Sequence, residues 1–437
     1  MTTGLRDHPL RQQLTDELHA RPFATVTAPA RVSHLALYTA DTSGGDGLQQ
    51  IEALCAHFNV AAPERGTNHL MIDFGAFRLK WERHGEFSSY SIFAEAVADG
   101  LPFAQPALSQ VPEDWLASLP GERLVGLHAE VMAPQESLPD SDAMKSLFGN
   151  DNIAGAIMTG GAAAAWTDFV IQQDGFTRLL IQDRHLRPRQ AGRLLQRLFE
   201  IETYRMMALL ALPLARQVTP DLNTTRDRLV AITAEMTQIS ALEDEQRQLD
   251  ELTELSQNVE RIAATAAYRF SAARAYYALV ERRIDELREE RIEGTQTIRE
   301  FMERRLSPAM RTCVSTDERI DRISRRLTRA SQLLRTRVDI QLESQNRDLL
   351  SAMNRRAQLQ LRLQETVEGL SVAAISYYLV SLINYALKAA KAAGAAIDVA
   401  LLTGLAIVPV AALVWFGARR VRHLVTRGQS DAGGGTS

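Results

Sequence analysis

The sequence has 437 residues, with 49 Lys plus Arg against 53 Asp plus Glu and a formal net charge of −4. This length accommodates two or three domains, and a near-neutral balance excludes a chain that binds nucleic acid through its overall charge. The two cysteines, Cys55 and Cys313, lie far apart with no His or Cys at ligand spacing. That excludes a disulfide framework or a zinc site and fits two free thiols in a reducing compartment.

The segment from Met1 to Leu18 lacks the apolar run of a signal peptide, so the body of the chain is expected to stay in the cytosol. Leu5 to Leu18 reads as a helix stopped by Pro22. His19 and Arg21, with Asp7 and His8 nearby, form the most conspicuous polar cluster. A helix C-terminus accounts for them, because His and Arg there offset the macrodipole. They are also the candidate ligand-binding pair, since an arginine suits bidentate contact with an anion.

Eight strands follow: Arg31 to Thr39, His69 to Phe74, Phe77 to Arg83, Ser88 to Phe93, Arg123 to Met132, Ile153 to Thr159, Ala163 to Ile171 and Phe176 to Gln182. Gly75, Gly85, Gly160-Gly161 and Gly175 stand between neighbours, as in antiparallel hairpins. His34, His69 and His128 fall on these strands without HxH or HExxH spacing, so no metal site is expected. Thr159-Gly160-Gly161 lacks the Lys-Ser/Thr of a phosphate loop and reads as a hairpin turn. No nucleophile elbow or dinucleotide fingerprint occurs, so neither a catalytic residue nor a cofactor is assigned.

Residues 1–186 thus read as an α+β cytosolic domain, and 187–220 as a connecting helix. Its apolar end, Met206 to Leu214, is too short to cross a bilayer. Residues 221–366 read as an antiparallel coiled-coil stalk. One apolar series runs Leu255, Val259, Ile262, Ala266, Phe270, Ala273, Tyr277, Val280, Ile284, Leu287, and a second runs Ile320, Ile323, Leu327, Ala330, Leu334, Val338. Gly294 weakens the first helix and Pro308 ends or kinks it. Ser315 and Glu318 form a capping box for a new start. Folding back near Arg311 sets Asp285 opposite Arg337 and Glu293 opposite Arg329. Such exposed pairs select register more than they stabilise.

Residues 367–420 hold two uncharged runs, Leu370 to Leu387 and Val399 to Ala418, each near the length that spans a hydrocarbon core. The short link between them makes a transmembrane helical hairpin. Arg355, Arg356 and Arg362 precede it, and Arg419, Arg420, Arg422 and Arg427 follow it, which places both chain ends on the cytoplasmic face of an inner membrane. Lys388 and Lys391 in the link run against that bias. Residues 421–437 are a basic, then disordered, tail. Ser376, Tyr377, Tyr378, Ser381 and Asn384 put polar groups into the first span. They are expected to hydrogen-bond across helices of a homo-oligomer, or to line a path.

Three stretches carry a resemblance: LRDHPLRQQLTDELHARP at Leu5 to Pro22, RLFEIETYRMMALLALPLAR at Arg197 to Arg216, and VEGLSVAAISYYLVSLINYALKAA at Val367 to Ala390. Together they resemble a bacterial family of membrane-anchored proteins of unknown function, marked by an early His-Ala-Arg-Pro element and a C-terminal Ser-Tyr-Tyr segment. The resemblance implies a membrane anchor and a cytosolic body, and carries over no catalytic residue. The plan is also similar to that of CorA-type magnesium channels. The Gly-Met-Asn signature of those channels is absent, however: Asn384-Tyr385 stands near the end of the first span and Asp398 is alone in the outer loop. The expectation is a non-enzymatic, membrane-anchored scaffold or sensor whose partners are the lipid bilayer and further copies of itself, not nucleic acid. The alternatives are a CorA-like divalent-cation channel or transporter, and an enzyme with its active site in the N-terminal domain.

Overall fold

The computed structural model describes residues 6–12, 14–15, 23–40, 47–63, 67–96, 101–238, 241–394 and 398–430. Most of the helix expected from Leu5 to Leu18, together with His19 and Arg21, lies outside the described residues. The chain divides into two compact units, residues 1–240 with 247–332, and residues 241–246 with 333–437.

The first unit is built on a mixed nine-stranded sheet of order β2-β3-β4-β1-β5-β8-β7-β6-β9. Its strands are β1 (Ala30–Tyr38), β2 (His69–Asp73), β3 (Arg78–Arg83), β4 (Phe87–Glu95), β5 (Glu122–Met132), β6 (Ala154–Met158), β7 (Ala163–Thr167), β8 (Thr177–Asp183) and β9 (Glu290–Arg291). β1 is buried from Ala30 to Leu37, as a strand flanked on both edges and covered on both faces must be. The expected hairpins β2-β3, β3-β4, β6-β7 and β7-β8 are antiparallel. Thr159, Gly160 and Gly161 turn between β6 and β7 with positive φ. Hairpin signals do not reveal the parallel pairing of β5 with β8, which needs a long crossover connection.

Two helices that the strand pattern does not announce close the apolar side. α1 (Leu48–His57) covers the β1–β4 half, where Leu35, Leu79, Trp81, Tyr90 and Ile92 meet Ile51 and Leu54. Between β4 and β5 lies the single turn α2 (Glu113–Ala117). Farther along, Met144 and Phe148 of α3 (Ser141–Phe148) pack on Phe103, Trp166 and Leu180. The long α4 (Pro188–Leu209) buries Leu194, Leu195, Leu198, Phe199 and Ile201.

α5 (Ala211–Glu235) contains Pro220, and so the boundary expected at Asp221 falls inside a helix. α6 (Leu242–Leu287) and α7 (Ile298–Ala392) are antiparallel in the first unit, with Ser324 donating to Glu260 at 2.9 Å and Tyr277 hydrogen-bonded to Ser307 at 2.6 Å. Arg299 pairs with Asp285. All three pairs are equidistant from Ile292, which corrects the expected fold-back at Arg311 and its pairing of Asp285 with Arg337. Pro308 neither ends α7 nor starts a new helix. The functioning capping box is Thr297 with Glu300: Glu300 Oε2 accepts from Thr297 N at 3.0 Å, and Thr297 Oγ1 accepts from Glu300 N at 3.1 Å. Glu289 adds acceptors for the N–H groups of Ile298 and Arg299. Gly294 takes positive φ in the turn, and β9 within it pairs with β6 at the sheet edge.

In the second unit Arg337 meets Glu245 at 3.3 Å. The later part of α7, and α8 (Val399–Ser430), are long and apolar enough to cross a membrane. The apolar window of α7 has mean hydropathy 1.6 and none of it is buried, and that of α8 has 2.4 with 6% buried.

Candidate functional site

Strand register assembles a polar patch on the sheet face beneath α4. His34 of β1 stands opposite Ser91 of β4, and Ser91 stands opposite Lys80 of β3. The next row on the same face runs from Ala36 through Ser89 to Glu82. Alternation along each strand keeps these side chains together, while their neighbours Leu35, Trp81 and Tyr90 fill the core on the other face.

A cleft of about 500 Å³, its open mouth included, lies between this patch and α4. His34 forms its floor. Nδ1 meets Ser91 Oγ at 2.8 Å, Nε2 meets Thr203 Oγ1 at 3.2 Å, and the ring stacks on Phe199 at 4.7 Å. Burial, then the charge of Lys80 and of His84, hold its pKa down at about 3, so the ring is neutral near pH 7.

The Lys80 ammonium sits between Glu82 Oε2 and Gln196 Oε1, each at 3.0 Å. Both side chains of the ion pair are almost wholly enclosed. Gln196 donates onward to Glu200 at 2.9 Å, and Glu200 pairs with Arg283 of α6. Arg283 also meets Glu286 at 3.0 Å, which pairs with Arg197 at 3.1 Å. A continuous run of charge-assisted contacts therefore leads from the sheet through α4 to the helical hairpin. Gly192 lets the chain at Ala24 cross α4 at the edge of the cleft, for an added Cβ would lie 1.6 Å from the Ala24 carbonyl oxygen.

A second clamp ties the sheet to α6. Both terminal guanidinium nitrogens of Arg269 donate to Glu86 in the β3–β4 turn, at 2.7 and 3.1 Å. Tyr276 nearby stacks on Tyr204 at 5.7 Å. Its phenol is pushed well above the ordinary range by burial and then by the charge of Glu86.

Among the described residues no His, Cys, Asp and Glu gather as metal ligands. His128 stands opposite Ser33, not His34, so it occupies the other sheet face. There it bonds Ser33 at 2.9 Å and stacks on Phe176 at 4.0 Å. His69 is on β2 at the sheet edge.

The polar residues of the first apolar window do not share one face. Tyr377 and Tyr378 are exposed, whereas Ser376, Ser381 and Asn384 are half-buried. Asn384 Oδ1 lies 3.5 Å from Oγ1 of Thr403 in α8, whose hydroxyl donates to the Val399 carbonyl at 2.7 Å. Ser376 Oγ is enclosed, with no hydrogen-bond partner among the described residues. Ser376, Ser381 and Asn384 are thus less exposed than Tyr377 and Tyr378, and Asn384 lies beside the second helix.

The cleft has no counterpart in the motifs read from the sequence. Its one signal is the rarity of lysine: Lys80 is one of four in a chain with 49 basic residues, and it falls on a strand two residues from Glu82. No curated protein matches this chain. A family model described as a protein of unknown function, DUF3422, matches residues 6–425, and the chain belongs to that family.

Proposed function

We propose that the protein is a non-enzymatic, membrane-anchored scaffold or sensor of the bacterial inner membrane. Its sheet domain and both chain ends lie in the cytoplasm, the α6–α7 pair acts as a coiled-coil stalk, and the end of α7 with α8 forms the anchor. Several copies assemble through the first span of the anchor. The observation that carries this reading is the exposure of the two apolar windows, in α7 and α8. Core helices of a soluble domain bury such surface; in a bilayer each Leu, Ile, Phe or Val at mid-depth contributes about 0.3–0.6 kcal/mol toward insertion. The full chain should sediment with membranes and resist extraction by alkaline carbonate. Release into the supernatant contradicts the anchor.

The run of contacts from Lys80 to Arg283 favours sensing over passive scaffolding. A small carboxylate or phosphate entering the cleft would compete with Glu82 and Gln196 for the Lys80 ammonium. Loss of the Gln196 contact would then loosen Glu200 from its place beside Arg283. A panel of small carboxylates and phosphates, scored by thermal stability of the detergent-solubilised chain, should contain a stabiliser whose effect is lost in Lys80→Met. A panel without one contradicts the sensing role.

A further inference from the structure

We infer that the part of α7 just before its apolar window is an interface for a second copy of this chain, packed in parallel. Among the described residues, the partner of α7 within its own unit runs out here. Glu245 pairs with Arg337, and α6 begins only three residues before Glu245, at Leu242. Beyond that point every residue from Leu342 to Val367 is exposed.

This stretch is not a solvated polar helix. Leu342, Leu349, Met353, Leu363 and Val367 recur at helical spacing, flanked on the same side by Leu350 and Leu359, and all of them are exposed. Arg347, Asp348, Arg355, Arg362 and Glu365 fall on the opposite side of a 3.6-residue helix. The apolar side also continues the step of Leu334 and Val338, which are buried. It spans roughly 40 Å at 1.5 Å per residue.

A second copy fits this face better than a membrane surface does. α7 runs without interruption from Ile298 to Ala392, so the amphipathic stretch and the apolar window share one helix. A helix that enters the bilayer leaves its plane and cannot lay this face along it. Two copies anchored by the same helix meet side by side, in the same direction and in register, which is the geometry of a parallel seam. Asn346, Arg356 and Gln360 interrupt the apolar side, and polar seam positions fix register at a cost in stability.

The inference rests on the membrane-anchored, oligomeric reading and is tested apart from it. Single cysteines would be placed in the full chain carrying Cys55→Ala and Cys313→Ala, and native membranes oxidised. Leu349→Cys, Met353→Cys and Leu363→Cys should give disulfide-linked dimers, with Arg347→Cys, Arg355→Cys and Arg362→Cys giving none. Equal yields on both sides, or none on either, overturn the interface. The same gels would carry Tyr377→Cys and Tyr378→Cys, and dimers from these alone would leave an oligomer standing without the seam. Fractionation of the same cells reports the anchor separately, because a soluble chain that still crosslinks on one side keeps the interface and loses the membrane.

Discussion

His34 is fully enclosed beneath α4, and burial holds its pKa near 3, against an ordinary value of 6.5. His128 is held near 4, first by burial. A histidine with a depressed folded pKa binds protons more readily once unfolded. Its stabilising contribution is complete above pH 6.5 and is lost as pH falls toward the folded value. Each ring therefore contributes a slope of up to about 1.4 kcal/mol per pH unit. Denaturant midpoints measured from pH 7.5 to 4.5 should fall, and His34→Asn should flatten that fall while lowering stability at pH 7.5. An unchanged slope would show that His34 charges without penalty. Arg269 offers a sharper case, because it is the bidentate partner of the enclosed Glu86. Arg269→Ala leaves a buried carboxylate without its counter-ion and should cost about 3–5 kcal/mol, whereas Arg269→Ala with Glu86→Ala should recover part of that loss. A double variant as unstable as the two losses added together would contradict the pairing. At this scale the sequence discloses less than at any other. Lys80, Gln196, Glu200 and Arg283 come together only through strand register and the packing of α4 on the sheet, and no local spacing encodes either.

The elements themselves are more legible. All eight strands expected from alternation and glycine turns are present, because each turn signal is local and each strand's burial is written in its own residues. α1 and α3 escape notice, since helices of ten and eight residues between strands carry too few apolar positions, four buried in α1 and two in α3, to set a helical period apart from its surroundings. The helical hairpin is instructive in a different way. Two capping boxes were available, Ser315 with Glu318 and Thr297 with Glu300, and only the second lies beside a glycine that turns the chain. Pro308 looks like a breaker but sits in the third turn of α7, where the packing of Phe301, Met302, Leu306 and Met310 holds the helix. The corrected register has a direct check. Cysteines at Tyr277 and Ser307 should be joined within one chain by a short bifunctional maleimide, while the pair Ile284 and Val338 should not. The opposite result would restore a fold-back near Arg311. α4 carries its own test at Gly192, where no side chain fits against Ala24. Gly192→Ala should displace the segment leading into β1 and lower the melting temperature by several degrees; an unaltered melting temperature would mean that this crossing is loose.

For the whole molecule, the membrane-crossing potential was the most legible feature, because length and hydropathy alone decide it. The division of polar residues in the first window was not, for which of them face α8 depends on how the two helices pack. The proposed function requires that the end of α7 and α8 form a hairpin through a bilayer. A reporter active only outside the cytoplasm, inserted between Ala389 and Ala392, tests that claim most directly when compared with the same reporter fused after Arg427. A hairpin gives activity in the link and silence at the C-terminus. Silence at both positions, or activity at the C-terminus alone, would contradict it.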